Sequence, residues 1–214
     1  MKILNLYACL GGNRYKWNKV KEDIEVTAIE LDPELARLYQ ERFPDDKVII
    51  TDAHQYLLDH YKEYDFIWSS PPCPTHSKLA ISMKNKDNYK KNYPDMKLYQ
   101  EILFLKHYFN GKYVVENVIP YYEPLISAKK RGRHLYWTNF NLPNKIGRNN
   151  VDNFSKTDIE SLSNYHDYNF RKYKGKQSIG KVARNLVDYE AGKTIFETML
   201  GIVQQNDVQQ NILF

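Results

Sequence analysis

The sequence predicts an α/β protein with a mainly parallel sheet and helices on both faces, and three observations predict it. Apolar, strand-like runs alternate with helix-like segments through the first third of the chain. A glycine pair, Gly11 and Gly12, closes the first run. Two later runs are each followed by an aspartate suited to cap a helix, Asp32 and Asp52. In sheets of this kind ligands gather at the carboxyl ends of the strands.

Met1 to Ala8 reads as a buried first strand leading into a sharp glycine turn. Val26 to Leu31 is the second. Asp32-Pro33-Glu34 then supplies a cap, a proline at the first helical position and an acid in the first turn, for a helix reaching Phe43. Val48 to Ile50 is a short third strand, Asp52 opens the next helix, and Phe66 to Ser69 is a fourth strand. The polar stretch after Pro71-Pro72 is too long for an ordinary connection and reads as a functional loop. Helical spacing returns with Leu98, Ile102, Leu105 and Phe109, followed by strands at Tyr113 to Val115 and Leu135 to Trp137. Residues 141–181 are rich in Asn, Lys, Ser and Tyr, show little periodicity and read as a small polar lobe; Ala191, Ile195, Met199 and Ile202 restore a helical face.

With 214 residues, 42% of them hydrophobic, one core and a single domain spanning 1–214 are expected. No run approaches a membrane span and the amino terminus reads as a strand rather than a signal peptide, so a cytoplasmic location is expected. Cys9 and Cys73 are the only cysteines, without metal-ligand spacing, so no metal is expected and any special cysteine is chemical. The net charge of +5 is modest, but basic residues cluster. Lys78, Lys84, Lys86, Lys90, Lys91 and Lys97 form one group, Lys129, Lys130, Arg131 and Arg133 a second, and Arg171, Lys172, Lys174 and Lys176 a third. Interleaved with Tyr and Asn, they favour a polyanionic partner such as nucleic acid.

Each strand end carries a residue suited to a cleft. Gly11 and Gly12 permit close backbone approach to a ligand, Glu30 is placed to accept hydrogen bonds from ribose hydroxyls, and Asp52 could pair with an adenine amino group. The sharpest feature is Ser69-Ser70-Pro71-Pro72-Cys73-Pro74-Thr75-His76-Ser77, where three prolines flank a thiol at a strand end. A thiolate is the reactive form, so a cationic neighbour or helix amino terminus would be needed to lower its pKa. His76 could be a helper for the thiol, though surface decoration is the more common role for such a residue.

These residues, in this order, resemble the DNA cytosine-5 methyltransferase family, of which this chain looks like a small member with a reduced target-recognition region. Tyr7-Ala8-Cys9-Leu10-Gly11-Gly12 is similar to the family's cofactor turn, and Glu30-Leu31-Asp32 and Asp52 to its ribose and adenine acids. Pro71-Pro72-Cys73 matches the nucleophile motif and Glu116-Asn117-Val118 the partner-glutamate motif. Arg131-Gly132-Arg133 corresponds to the paired arginines; Ser127-Ala128, Trp137 and Asn139 around them resemble the de novo branch, and Arg184-Asn185-Leu186-Val187 a late motif. Cys9 stands where the first motif usually has glycine, and is tolerated if that position avoids positive φ. Lys129 stands where many members have glutamine, and no final glycine-asparagine motif is seen.

The resemblance implies a Rossmann-like S-adenosylmethionine-dependent methyltransferase fold, with Tyr7, Gly11, Gly12, Glu30, Leu31, Asp52 and Pro72 at the cofactor. It implies duplex DNA as partner, its target cytosine flipped out, with Ser77, Lys78, Lys84, Lys86, Lys90, Lys91 and Lys174 at the nucleic acid. Cys73 would add to carbon 6 of cytosine, and Glu116, its pKa raised by shielding from water, would donate to ring nitrogen 3. Arg133 would contact the base oxygen, and Arg131 a phosphate or that oxygen. Two alternatives stay open: an RNA cytosine-5 methyltransferase, and a non-catalytic DNA- or cofactor-binding protein that regulates a partner or needs a second chain; another copy or an accessory chain could supply the missing recognition. A dinucleotide oxidoreductase is disfavoured, since no full GxGxxG follows the first strand.

Overall fold

A computed structural model describes residues 1–78, 93–148 and 157–202. Its centre is a seven-stranded sheet made of β1 (Lys2–Leu6), β2 (Glu25–Ile29), β3 (Lys47–Ile49), β4 (Phe66–Ser69), β5 (Lys112–Val118), β6 (Lys129–Arg131) and β7 (His134–Thr138), in the order β3-β2-β1-β4-β5-β7-β6. The pairings among β1 to β5 are parallel, whereas β7 runs antiparallel to both β5 and β6. The chain order therefore turns back between β1 and β4, where a doubly wound sheet opens a crevice at its strand ends. Because β7 is reversed, its first residues, rather than its last, meet that edge.

Period-two alternation divides the core. Ile3, Val26, Phe66, Trp68, Val114 and Tyr136 face one way, against Trp17 of α1 (Trp17–Val20) and Ile195 and Phe196 of α7 (Tyr189–Met199). Leu4, Leu6, Ile67, Val115, Leu135 and Trp137 face the other, against Leu57 of α3 (Ala53–His60) and Leu98, Ile102 and Leu105 of α4 (Lys97–Tyr108). Helix α2 (Pro33–Arg42) also packs on the first face, its Tyr39 meeting Ala8 and Ala28. Helices thus cover both faces, and the fold is the Rossmann-like α/β class.

The two aspartate caps form as the sequence reads. Asp32 Oδ1 accepts the amides of Glu34 and Leu35, with Pro33 at the first position of α2, and Asp52 Oδ1 accepts the amide of Gln55. Each cap orients the few residues joining strand end to helix, which is the wall of the crevice.

The polar segment before the last helix, unassigned by periodicity, contains α5 (Ile159–His166), a 3-10 turn (Phe170–Lys172) and α6 (Ile179–Asn185). Leu162, Phe170, Tyr173, Val182 and Ala183 pack with Leu10, Leu35 and Leu38, so this lobe docks on the turn after β1 and on α2. Tyr173 Oη and Gln177 Nε2 donate to Asp32 Oδ2 at 3.1 and 3.3 Å, using the oxygen that the helix cap leaves over. Among the described residues, no helix is long and apolar enough to cross a membrane.

Candidate active site

The strand ends enclose a cleft of about 1100 Å³. That volume exceeds the range of about 300 to 1,000 Å³ typical for one small-molecule site, so it can hold two reactants side by side. At one end stand Tyr7, Glu30, Leu31 and Asp52, from the ends of β1, β2 and β3; at the other stand Pro72, Cys73, Glu116 and Arg133.

Glu30 is fixed by the backbone, accepting the amide of Cys9 at 2.8 Å on one oxygen and that of Asp32 at 2.9 Å on the other. Each carboxylate oxygen keeps a further lone pair for a ligand hydroxyl. Burial raises the Glu30 pKa and these amides oppose the rise. Leu31 is 66% exposed although it lines the cleft, an apolar platform of the kind a purine ring covers. Asp52 adds an exposed carboxylate 3.8 Å from Lys97 Nζ. These residues fit a nucleoside-bearing cofactor: an acid for the ribose, an apolar plate for the base and a second acid beyond it.

The glycine turn works differently from its expectation. Cys9 does take positive φ, at 49°, so the condition for tolerating a cysteine there is not met and the residue carries strain of about 1–2 kcal/mol. Its thiol, buried beside Glu30, is pushed up to about 12. Gly11, at φ 66°, turns its missing side chain towards the rings of Phe43 and Tyr39, and it is absent from the cleft lining. Gly12 lines the cleft, yet a Cβ there would lie 2.2 Å from the Val187 carbonyl oxygen, so its close approach is to the chain's own backbone. Tyr7 is tied through its hydroxyl to Glu101, at 2.5 Å. Glu101, fully buried on α4, also accepts from Ser69 Oγ and from His54 Nδ1.

Cys73 sits half-buried on the turn after β4, its carbonyl accepting the amides of His76 and Ser77. Two anchors hold this turn. Asn117 Nδ2 donates to the Pro71 carbonyl at 2.9 Å, and Asn117 is itself 2% exposed. His76 is fully buried, not surface decoration: its Nδ1 shares a 2.5 Å hydrogen bond with Tyr122 Oη, which also receives one from Tyr99 Oη. Burial lowers the His76 pKa, so the ring is a neutral wedge. Burial first, then the Glu116 carboxylate, raises the Cys73 pKa, and the cationic neighbour needed to lower it has only a smaller counterpart in Lys181. The resting group is a thiol.

Glu116, 6% exposed, stands on β5 opposite Tyr136, with His134 Nε2 3.3 Å from its Oε1. Arg133, in the tight turn between β6 and β7, lines the cleft, and Gly132 supplies the positive φ of 56° which that turn needs. Arg131 is not brought to the cleft. Its guanidinium donates to the carbonyls of Pro143, Leu142 and Lys130, so it braces the segment after β7.

Of the basic and polar residues expected at nucleic acid, Lys78 is exposed beside the cysteine turn and Lys174 lines the cleft. The Ser77 amide is used in the cysteine turn. Lys84, Lys86, Lys90 and Lys91 lie outside the described residues. Lys97, Lys176, Lys181 and Arg184 also reach the cleft wall, the last three from the docked lobe. Trp137 and Asn139 bond to the backbone at Ile126 and Gly111, away from the cleft. No group of three or more His, Cys, Asp or Glu among the described residues could hold a metal ion.

The family model described as C-5 cytosine-specific DNA methylase matches residues 1–119, more than half of the chain and the part that carries the cofactor end, Cys73 and Glu116. No curated protein matches. Among solved structures, a hypothetical protein of Thermus thermophilus is 19% identical over 64% of this chain and 73% of its own, with a TM-score of 0.42. DNMT2 of Spodoptera frugiperda is 25% identical over 55% of this chain, which spans 35% of DNMT2, with a TM-score of 0.38. A TehB-like SAM-dependent methyltransferase of Corynebacterium glutamicum is 16% identical over 55% of this chain and 54% of its own, with a TM-score of 0.34.

Proposed function

Because the chain belongs to the C-5 cytosine-specific DNA methylase family, whose methyl donor is S-adenosylmethionine, we propose that it methylates carbon 5 of a cytosine in DNA through a covalent adduct with Cys73. The observation that carries this reading is one cleft in which Cys73 and Glu116 share a wall, their strands tied by the Asn117–Pro71 hydrogen bond. Across the cleft, Glu30, Leu31 and Asp52 would hold the cofactor's ribose and adenine, beside Tyr7, Gly12 and Pro72. When bound, the cofactor supplies the electrophilic methyl group.

Carbon 5 of cytosine is a weak nucleophile. Cys73, once deprotonated, adds to carbon 6 and makes carbon 5 electron-rich. Glu116 gives a proton to ring nitrogen 3 as that addition proceeds, and Arg133 donates to the base oxygen. The Asn117 and His76 anchors keep the thiol aligned. A stacked base cannot reach Cys73, so the target is extruded from the duplex. Lys174, Lys176 and Lys181 at the cleft wall and Lys78 beside the cysteine turn take the phosphates, contacts that position without reading sequence. We assign the whole chain to one methyltransferase domain whose docked lobe stands in for a larger recognition region.

Duplex DNA containing 5-fluorocytosine tests this reading, because fluorine at carbon 5 blocks release of the adduct. With cofactor present, the protein should acquire the mass of one oligonucleotide, and Cys73→Ala should not. A folded, cofactor-binding protein that forms no adduct on any duplex would overturn it.

A further inference from the structure

His134 opens β7 at the strand-end edge, diagonal to Glu116 across the β5–β7 pair, since Glu116 is opposite Tyr136 and Val118 is opposite His134. Side chains two residues apart on one strand share a face, so Glu116 and His134 point into the same space. Nε2 of His134 lies 3.3 Å from Glu116 Oε1, and the two side chains are 27% and 8% exposed. The imidazole therefore bridges a shielded carboxyl and the open cleft, which both residues line. The charged and titratable groups around the pair include the Cys73 thiol from the β4 turn, Arg133 from the β6–β7 turn and the Tyr136 hydroxyl on β7, with Lys181 on α6 facing Cys73; on the other side Arg131, Arg148, Tyr165, His166 and Asp188 line a smaller pocket with His134.

We propose that His134 is the proton reservoir behind Glu116, a positioning residue that restores the proton Glu116 gives to the base. This rests on the methyl-transfer reading above. In the addition step the Cys73 thiol gives its proton to water, its sulfur–carbon 6 bond forms and the carbon 5–carbon 6 π bond opens. The displaced electron pair is taken up at ring nitrogen 3, which receives the Glu116 proton. The His134 imidazolium passes its Nε2 proton to Glu116 Oε1 and is left neutral. After carbon 5 has taken the methyl group, water removes the carbon 5 proton, the carbon 5–carbon 6 double bond re-forms as the sulfur–carbon 6 bond breaks, and the thiolate recovers a proton from water; nitrogen 3 returns its proton to Glu116 and Glu116 returns one to His134, so the pair is reset. A carboxyl with no such neighbour would have to recover its proton from solvent through a crowded cleft.

Two readouts decide the matter. The first needs no turnover: the imidazole resonances of His134 are compared by NMR in the wild type and in Glu116→Gln. Removing the carboxylate should shift them; unmoved resonances overturn the pairing. The second is the pH profile of methyl transfer to duplex DNA by the wild type, His134→Gln and His134→Phe. The Gln variant, which keeps a polar contact but cannot relay a proton, should run about 10-fold slower or worse, with little change in KM and a pH profile unlike that of the wild type. A Gln variant with the wild-type profile overturns the reservoir. A wild type that transfers no methyl group at all would sink the underlying reading, and the reservoir with it, whatever the NMR arm gives.

Discussion

Replacing Asn117 by alanine separates the thiol's support from its chemistry. The side chain donates to the Pro71 carbonyl and accepts the Val118 amide, both at 2.9 Å, in a site that is 2% exposed. Leaving the Pro71 carbonyl without a donor costs roughly 1–3 kcal/mol, and losing the acceptor for the Val118 amide about 0.5–1.5 kcal/mol. The Val118 end is half-buried and water relieves part of its loss, so about 2–3 kcal/mol is expected in all. For a domain of this size that lowers Tm by about 4–12 °C. The Cys73 turn also loses the anchor that faces β5, and a misplacement of about 1 Å at a reacting atom costs on the order of 100-fold in rate. Asn139 is the control. It makes a similar pair of bonds, to the Tyr113 amide and the Gly111 carbonyl, at the far end of β5. Thermal melts and methyl-transfer rates of Asn117→Ala and Asn139→Ala should show both variants less stable and only the first one slow. If Asn117→Ala melts lower but turns over at the wild-type rate, the anchor does not position the thiol; if it melts like the wild type, the hydrogen bond contributes nothing.

Burial and the Glu116 carboxylate both raise the Cys73 pKa, so alkylation of that thiol should be slow near neutrality and rise tenfold per pH unit until the thiol titrates. Glu116→Gln should speed alkylation below that point by about 3- to 10-fold, and an unchanged rate would show that the carboxylate does not act on the thiol. The pair of His54 and the fully buried Glu101 raises the pKa of His54, through the hydrogen bond first. Its stabilisation is complete below the unfolded histidine value of about 6.5 and fades as pH rises through the higher folded value. Urea melts should therefore show the advantage of the wild type over His54→Phe shrinking across that window; a difference independent of pH would contradict the pairing.

Much of the frame was legible because local chemistry and tertiary context agree there. Asp32 and Asp52 are caps in sequence and in structure, and Leu98, Ile102 and Leu105 face the core as their spacing demands. Glu101 carries a readable signal that the sequence analysis lacks: a carboxylate inside the apolar stripe of α4 calls for buried partners, which Tyr7, Ser69 and His54 supply. The lobe resisted reading because its helices are about two turns long and each buries only two residues, Leu162 and His166 in one and Val182 and Ala183 in the other. Its caps, Asp158 and Ser178, were the available signal. Arg131 and Arg133 are indistinguishable by motif, and only the tight turn at Gly132 sends one to the cleft and the other to the carbonyls of Leu142 and Pro143. His76 and His134 carry no sequence pattern at all. Their roles arise from contacts with Tyr122 and Glu116, both distant along the chain.

The most direct test of the central claim is transfer of label from methyl-tritiated S-adenosylmethionine to mixed-sequence duplex DNA, with Cys73→Ser and an RNA substrate run in parallel and the product base identified. The account predicts 5-methylcytosine in DNA, formed by the wild type and lost with Cys73→Ser. Label that appears only in RNA, or that persists without Cys73, would contradict it.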